Sequence, residues 1–401
     1  MVDGSLFMAD CSQKKRWRVV LVQASHWGIA ALTAIALPGL MAAAINPLPR
    51  SRLLPEPLQQ VEPLSEPFSG GIDRILKKQP LPLLARVLSG RTAIALGPNG
   101  ELLAGVRSDG SIAIWHLKTG QLIGVLPGHA LPVLSLAISS DNKILASAGH
   151  DKTIKIWDLQ SGLLLYTLAG HKSWVQSIAI SPDGETLVSG SGDQTVKVWS
   201  LKQAATEVRL TNQEKEGRRP GLSTLVGHRD SIHAVALSPR GHLLASSSWD
   251  RIKLWDMRTR RELLTLSGQS LGINALAIGP NSKLLASGSS DRTINVWEIP
   301  RGKLRWTLTG HMAGVSSVAI AADGKTLVSG GWDNTIRVWD LQTGELQHTL
   351  PRQPSIVQAV AITPDGKTLV SGGWGNIIKL WQLQTLQEIR TLSAPSNQPI
   401  R

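Results

Sequence analysis

The chain of 401 residues contains one cysteine, Cys11, and so cannot form an internal disulfide. Neither a pair of cysteines nor a Cys/His set with ligand spacing is present, which excludes a disulfide scaffold, a zinc finger and thioredoxin-like chemistry. The HExxH signature of metalloproteases and the glycine-rich P-loop of nucleotide-binding proteins are also lacking. We therefore expect no catalytic residues, no metal site and no cofactor.

Tyrosine and phenylalanine are rare, with one Tyr and two Phe, whereas Trp occurs 14 times. Such a skew indicates that Trp occupies a repeated structural position. Charged residues make up 18% of the chain, below the usual ~25%, but 42% apolar residues suffice for a core and exclude wholesale disorder.

The formal net charge of +13 favours acidic partners or anionic surfaces, including anionic lipid. Nucleic-acid binding usually shows a basic cluster interleaved with aromatics on one element, and the sequence has no such cluster. Nucleic acid is therefore not an expected partner.

An uncharged run, residues 19–45, follows four basic residues between Lys14 and Arg18. It is long enough to cross a membrane, which takes about 20 residues. Its basic start, apolar middle and alanine-rich end are equally typical of a cleaved signal peptide, and the two interpretations stay open. A buried core helix is a third interpretation, but the run has no visible partner. The excess of basic residues before the run predicts a cytoplasmic N-terminus and export of everything downstream.

Eight prolines lie within residues 46–82. Such density removes backbone donors and fixes φ, so we predict an extended, semi-stiff linker. The predicted domains are thus an N-terminal signal or membrane anchor in residues 1–45, the linker in residues 46–82, and a repeat domain in residues 83–401.

Tryptophans mark the repeat: Trp115, Trp157, Trp199, Trp255, Trp297, Trp339 and Trp381. Their steps are 42 residues, apart from one of 56, so seven units and one insertion, at about residues 203–220, explain the pattern. The mixed charge of the insertion indicates a solvated loop. Each unit holds four short apolar runs separated by turn residues such as Pro182-Asp183-Gly184, which predicts four strands. Such sheets hide their faces by stacking around an axis.

The period, the four strands and the Gly-His to Trp-Asp pattern resemble the WD40 repeat family over residues 83–392, and the leading segment makes the chain similar to the bacterial type with an N-terminal signal or anchor. The resemblance implies an all-β fold, a seven-bladed propeller preceded by an apolar helix and a linker. It also implies a buried tetrad of His, Ser, Asp and Trp in a blade. The matching sets are His129, Ser147, Asp151 and Trp157; His171, Ser189, Asp193 and Trp199; His228, Ser246, Asp250 and Trp255; and His311, Ser329, Asp333 and Trp339. Repetition at a fixed spacing favours a structural role over a catalytic triad.

Three blades depart from this pattern. The fifth has Gln269 at the His position, and the seventh has Gln353 for His and Gly375 for Asp. The first has Arg91 for His and Gly105 for Ser. Because blades one and seven meet at the ring closure, we expect them to open first. The sequence has eight candidates for the seven outer strands. Either residues 84–88 or residues 387–392 could form the terminal outer strand that closes the ring.

The resemblance also places the residue before the tetrad Asp and the start of the inner strand on one rim. We define the Trp-rich rim by its partner-binding candidates: Trp174, Gln176, His233, Trp249, Ser316, Trp332, Ile356, Gln358 and Trp374. Other positions of this rim are Ser108, His150, Gly192, Asn274 and Ser290. Exposed Trp is enriched at interface hot spots, although these side chains could instead cover their own turns.

We therefore expect a non-catalytic platform, held at or exported across a membrane, that binds a protein or peptide on the Trp-rich rim. Its other contact would be the membrane itself, through residues 19–45 if they are retained. The alternative is an enzymatic or small-ligand propeller with its site at the central channel.

Overall fold

Seven antiparallel sheets of four strands make up the computed structural model, which describes residues 93–202, 221–375 and 377–392. We number them as blades one to seven in chain order. Blade one contains β1 (Ile94–Leu96), β2 (Leu102–Val106), β3 (Ile112–His116) and β4 (Leu122–Leu126); blade two contains β5 (Val133–Ile138), β6 (Ile144–Gly149), β7 (Thr153–Asp158) and β8 (Leu164–Ala169); blade three contains β9 (Val175–Ile180), β10 (Thr186–Ser191), β11 (Val196–Ser200) and β12 (Ser223–Leu225).

The other four blades follow the same order. Blade four contains β13 (Ala234–Leu237), β14 (Leu243–Ser247), β15 (Arg251–Asp256) and β16 (Arg261–Ser267); blade five contains β17 (Ile273–Ile278), β18 (Leu284–Ser289), β19 (Ile294–Glu298), a 3₁₀ helix (Ile299–Arg301) and β20 (Lys303–Leu308); blade six contains β21 (Val315–Ile320), β22 (Thr326–Gly331), β23 (Ile336–Asp340) and β24 (Leu346–Thr349); blade seven contains β25 (Val357–Ile362), β26 (Thr368–Gly373), β27 (Ile377–Gln382) and β28 (Glu388–Leu392).

The first strand of each blade packs against the first strand of the next, and β1 packs against β25. The sheets therefore form a closed ring with the first strands innermost. This confirms the all-β, seven-bladed propeller predicted from the 42-residue period.

Seven apolar clusters fill the spaces between neighbouring blades. Between blades two and three, for example, Ile156 and Leu168 pack with Leu187 and Trp199. The clusters form because two faces of each sheet carry apolar side chains and each face needs a neighbour to exclude water. Inner-strand serines add hydrogen bonds across three of these interfaces: the N–H of Ile178 donates to Ser135 Oγ, that of Val235 to Ser177 Oγ and that of Val360 to Ser317 Oγ.

The ring closes between blades that are each built from their own consecutive strands. Ile378 in β27 pairs with Leu392 in β28, so residues 388–392 complete blade seven. The competing candidate, residues 84–88, lies outside the described residues. The interface of blades seven and one is apolar, with Val370 and Ile378 packed against Leu103 and Trp115.

Glycine at position 105, where other blades have Ser, fits this closure. A Cβ at Gly105 would lie 2.5 Å from Ile378 Cδ1, which is closer than real Cβ atoms approach. Glycine at this position thus allows Ile378 of blade seven to pack closely on β2.

Several predictions concern residues that the structure does not describe: the N-terminal helix in residues 1–45, the linker in residues 46–82, the insertion at residues 203–220, and Arg91. Within the described ranges no helix has the length and apolar content needed to span a bilayer. The chain just before the insertion lies beside the Pro182-Asp183-Gly184 turn, because Ser200 pairs with Thr186.

Candidate protein-binding surface

A chain of four hydrogen-bonded side chains lies inside blade two. The indole Nε1–H of Trp157 donates to Ser147 Oγ at 2.8 Å, and Ser147 Oγ lies 2.8 Å from His129 Nε2. His129 Nδ1 is 2.8 Å from Asp151 Oδ2. Because indole only donates and carboxylate only accepts, the serine donates to Nε2 and the histidine donates from Nδ1. The four side chains of the predicted tetrad are thus joined in one hydrogen-bonded series.

Blades three and six repeat the arrangement. Ser189 Oγ lies 2.8 Å from Trp199 Nε1 and 2.7 Å from His171 Nε2, and the Ser329 distances are both 2.8 Å. Their carboxylates, Asp193 and Asp333, also accept the backbone N–H of Lys172 and Met312. The carboxylate thus ties the turn between the second and third strands to the loop that enters the blade.

Blade four corrects one prediction, since Asp250 is not the partner of His228. His228 Nδ1 lies 3.0 Å from Ser248 Oγ, and exposed Asp250 lies beside Arg251 instead, with Oδ2 3.3 Å from Arg251 Nε. The reason is a shorter turn: Ser246 and Trp255 are nine residues apart, whereas Ser189 and Trp199 are ten apart. The bonds from Ser246 Oγ to His228 Nε2, at 2.7 Å, and from Trp255 Nε1, at 2.8 Å, remain.

Glutamine replaces histidine in two blades with different results. In blade five, Ser287 Oγ donates to Gln269 Oε1 at 2.7 Å and accepts from Trp297 Nε1 at 3.0 Å. The glutamine amide thus takes the place of the histidine ring in the series of hydrogen bonds. In blade seven, Gln353 Nε2 donates to the carbonyl of Pro351, while Trp381 Nε1 still donates to Ser371 Oγ at 2.9 Å. Blade seven therefore keeps only the serine–tryptophan end of the chain among the described residues.

Burial and pairing shift the pKa values of these groups. Burial alone would raise the pKa of Asp193, but the hydrogen bonds from His171 and Thr195 hold that pKa below its usual value. Burial lowers the pKa of His171 and His311 despite their aspartates. In blade four, burial and nearby Lys253 lower the pKa of His228 to about 4. These histidines are neutral at pH 7, as their donor and acceptor roles require.

The Ser–His–Asp distances resemble those of a hydrolase triad, but the surroundings differ. Ser147, Ser189 and Ser329 are fully buried. Each hydroxyl already accepts an indole N–H and has no open side from which a substrate could approach. The chains act as internal braces of the blades.

The Trp-rich rim lies at the end of the blades where the second strand turns into the third. Trp332 N donates to Gly314 O at 2.9 Å and Trp374 N donates to Ile356 O at 3.1 Å, so each turn is bonded to the loop that enters its own inner strand. Trp249 and Trp332 expose 40% of their surface and Trp374 exposes 38%. Three of the four rim tryptophans are therefore accessible from one end of the ring.

Trp174, Trp249 and Trp332 also rest on small neighbours. A Cβ at Gly314 would lie 2.7 Å from Trp332 Cε3, and one at Gly192 would lie 2.6 Å from Trp174 Nε1. Trp249 packs against Gly272 and edge-on to His233, with ring centroids 6.3 Å apart. One side of each of these three rings thus packs on the protein. Trp174, which also meets the His150 ring at 5.2 Å, is the half-buried member.

The inner-strand positions are half-buried: Gln176, His233, Ser316, Ile356 and Gln358. Ser316 Oγ donates to Gly330 O at 2.9 Å and also bonds to Val357 O, and Asn274 Nδ2 donates to Val315 O at 2.9 Å. Ser316 and Asn274 therefore join adjacent blades through side chain to backbone bonds.

Three further apolar residues at this end were not among the sequence candidates. Leu131, Leu271 and Met312 lie in the loops entering blades two, five and six, and Met312 is 78% exposed. Their position could have been predicted from the sequence, because each residue follows the tetrad His or its Gln replacement by one or two residues. The predicted rim consequently gains apolar surface between the tryptophans.

Comparison with protein families agrees with this geometry, which is that of a propeller of repeated, internally braced four-stranded blades. The family described as "WD domain, G-beta repeat" (WD40) matches six stretches that together cover more than half of the chain: residues 120–158, 162–200, 221–256, 260–298, 302–340 and 344–382. The chain belongs to the WD40 family. None of the curated proteins matches it. The first repeat, with its altered His and Ser positions, falls outside the matches. Propellers of this family are generally non-catalytic scaffolds that bind protein partners.

Proposed function

We propose that this protein is a non-catalytic interaction platform that binds a protein or peptide on its Trp-rich rim. The observation that carries the proposal is the exposure of Trp249, Trp332 and Trp374 at one end of the ring. Large, half-packed aromatic side chains lose little conformational freedom on binding, which is why Trp is enriched among interface hot spots. Leu131, Leu271 and Met312 extend the apolar surface among them.

Accessible charge at this end is mainly positive. Lys152, Lys172, Arg229, Arg292 and Arg352 are exposed in the loops around the rim. Four aspartates of the same turns are half-buried in hydrogen bonds: Asp151, Asp193, Asp291 and Asp333. Asp109 and Asp250 are the acidic side chains exposed there. This balance favours a partner segment whose apolar residues are flanked by acidic ones.

The test is partner capture by the full chain and by a Trp249→Ala, Trp332→Ala double variant. Loss of two half-packed hot-spot side chains should weaken capture by at least about tenfold, since hot spots contribute ~2 kcal/mol or more each. The matched control is Ile123→Ala with Leu263→Ala, two side chains 51% and 58% exposed on outer strands. Thermal unfolding should show both variants folded. Equal capture by the two variants would refute the site.

We further propose that residues 1–45 hold the propeller at a membrane or export it, with the propeller on the extracytoplasmic side. The four basic residues before the uncharged run support this orientation. Cell fractionation with mass spectrometry of the N-terminus tests it. An intact N-terminus in the membrane fraction indicates an anchor, and a soluble chain beginning near Ile45 indicates a cleaved signal. An intact chain in the cytoplasm would refute export.

A further inference from the structure

A cleft of about 370 Å³ lies between blades five and six, at the end of the ring opposite the Trp-rich rim. Its walls come from the turns between first and second strands, at Lys283 and Lys325, from the 3₁₀ helix of blade five, at Arg301, and from β20, at Arg305. These four side chains define what we call the basic cleft. Its volume is within the range of about 300–1,000 Å³ usual for small-molecule sites.

The cleft exists because blade five departs from the Trp-Asp pattern. In blades four and six, Asp256 and Asp340 accept backbone N–H groups of the following turn. In blade five, Glu298 occupies this position without capping, and the chain continues into the 3₁₀ helix that ends at Arg301. Gly302 then takes a left-handed φ of 62° and leads into β20, which carries Arg305. The changed connection therefore brings two arginines to a position that blades two, four and six fill with a turn capped by an aspartate.

Positive charge dominates this cleft. The single acidic side chain in its wall is Glu298. Two carboxylates just outside are engaged in their own turns, since Asp323 accepts the N–H of Lys325 and of Thr326, and Asp340 accepts that of Gln342. Lysines elsewhere do pair, as Lys253 does with Glu262 and Lys379 with Glu388, both at 2.7 Å. Within the described part of the chain, none of the four cations of the basic cleft lies within 4.0 Å of a carboxylate oxygen.

The cleft also has an apolar patch, at half-buried Leu284. Arg305 extends along the adjacent Trp306 ring, with its guanidinium carbon 5.9 Å from the centroid. Stacking of this kind orders a guanidinium without using its N–H donors. Several cations around one small cleft suit an anion with more than one negative charge, and arginine matches phosphate oxygens in pairs.

We propose that the basic cleft binds the phosphate group of a phosphate ester or diphosphate. The oxygens would accept hydrogen bonds from Lys283, Lys325, Arg301 and Arg305, and the organic part would lie against Leu284. The phosphate could belong to a soluble metabolite or to a lipid headgroup, which present the same chemistry to the cleft.

Binding is tested on the full chain by calorimetric titration with inorganic pyrophosphate. A second arm measures cosedimentation with phosphatidylcholine vesicles, with and without phosphatidic acid. The test variant is Lys283→Glu with Lys325→Glu. The matched control is Lys143→Glu with Lys367→Glu. It reverses the charge of the two lysines that follow the corresponding turn in blades two and seven. All four side chains are exposed, so both variants keep the fold.

We expect the test variant to bind at least about tenfold more weakly, since each charged hydrogen bond contributes on the order of a factor of ten. The control should stay within about twofold of the unaltered protein. A loss in the pyrophosphate arm supports a soluble ligand, and a loss confined to vesicles with phosphatidic acid supports a lipid headgroup. Equal binding by the two variants, or no binding in either arm, would overturn the proposal.

Discussion

The hydroxyl group of the tetrad serine connects the tryptophan and the histidine inside each blade that has a complete tetrad. Ser189 Oγ accepts from Trp199 and donates to His171, so two buried groups rely on one side chain. A buried polar group that loses its partner keeps its desolvation cost without compensation.

Substitution of Ser189→Ala should therefore lower the free energy of unfolding by about 2–3 kcal/mol, because both partners lose their bond. Chemical denaturation measures the change. Ser371→Ala is the matched control in blade seven, where the serine bonds Trp381 and the glutamine points to Pro351. We expect its loss to be smaller by about 1 kcal/mol. Equal losses would contradict a role for the histidine bond.

We expect His228 to make the stability of blade four sensitive to acid. Its pKa is about 4 in the folded protein and near 6.5 when unfolded, so the unfolded chain takes up a proton first. The stability linked to this group is present above pH 6.5 and is lost as the pH falls towards 4, up to roughly 3 kcal/mol. The variant His228→Gln, which introduces the amide that Gln269 supplies in blade five, removes the titration. Relative to the unaltered protein, the variant should gain stability between pH 6.5 and 4 in denaturant titrations. A pH-independent difference would show that the histidine does not titrate as inferred.

At the scale of residues, the sequence predicted most of the hydrogen bonds within the tetrads but gave His228 the wrong partner, Asp250 in place of Ser248. The nine-residue spacing from Ser246 to Trp255 was visible in the sequence and indicated a shortened turn. That Ser248 would take the place of Asp250 could not be read from it, since the substitution depends on where the shorter turn directs each side chain.

The blade is the unit at the next scale, and its stability depends on the two apolar interfaces it shares. Blades two to six each have neighbours on both sides that follow directly in the chain. Blades one and seven meet each other at the closure, and the described residues of this interface pack through side chains without exchanging a strand. Blade seven has also lost the histidine and aspartate of its tetrad, and blade one its serine.

Amide hydrogen exchange should accordingly show blades one and seven opening first. Blade three has a complete tetrad through Ser189 in β10 and a bond from Ser177 in β9 to the next blade, so the amides of its central strand β10 should be among the slowest to exchange. Mass spectrometry of peptides from each blade measures this order. Faster exchange in blade three than in blade seven would contradict it.

The elements themselves were well predicted because each strand is short, apolar and bounded by turn residues. The outer strand of blade seven was not, since residues 84–88 and 387–392 have similar patterns. Both patterns fit an outer strand, and the pairing of Leu392 with Ile378 shows that residues 388–392 fill this place in blade seven.

At the scale of the whole molecule, the two ends of the ring carry different surfaces. The Trp-rich rim combines aromatic and apolar side chains with exposed cations, whereas the opposite end holds the basic cleft. Seven blades followed from the period alone. The degree to which each tryptophan is exposed did not, because it is set by what each ring rests on, such as Gly314 under Trp332. Which partner binds depends on the side chains of this surface, because the propeller fold itself serves many different functions.

Site-specific photocrosslinking tests the central claim most directly. A photoreactive phenylalanine analogue replaces Trp332 or Trp249 in the rim, or Leu263 on an outer strand, in the full chain in its native cells. Crosslinked products are then identified by mass spectrometry. The account predicts one partner crosslinked from both rim positions and absent at position 263, with an acidic, apolar segment at the contact. Crosslinks from position 263 alone, or none from the rim, would contradict it.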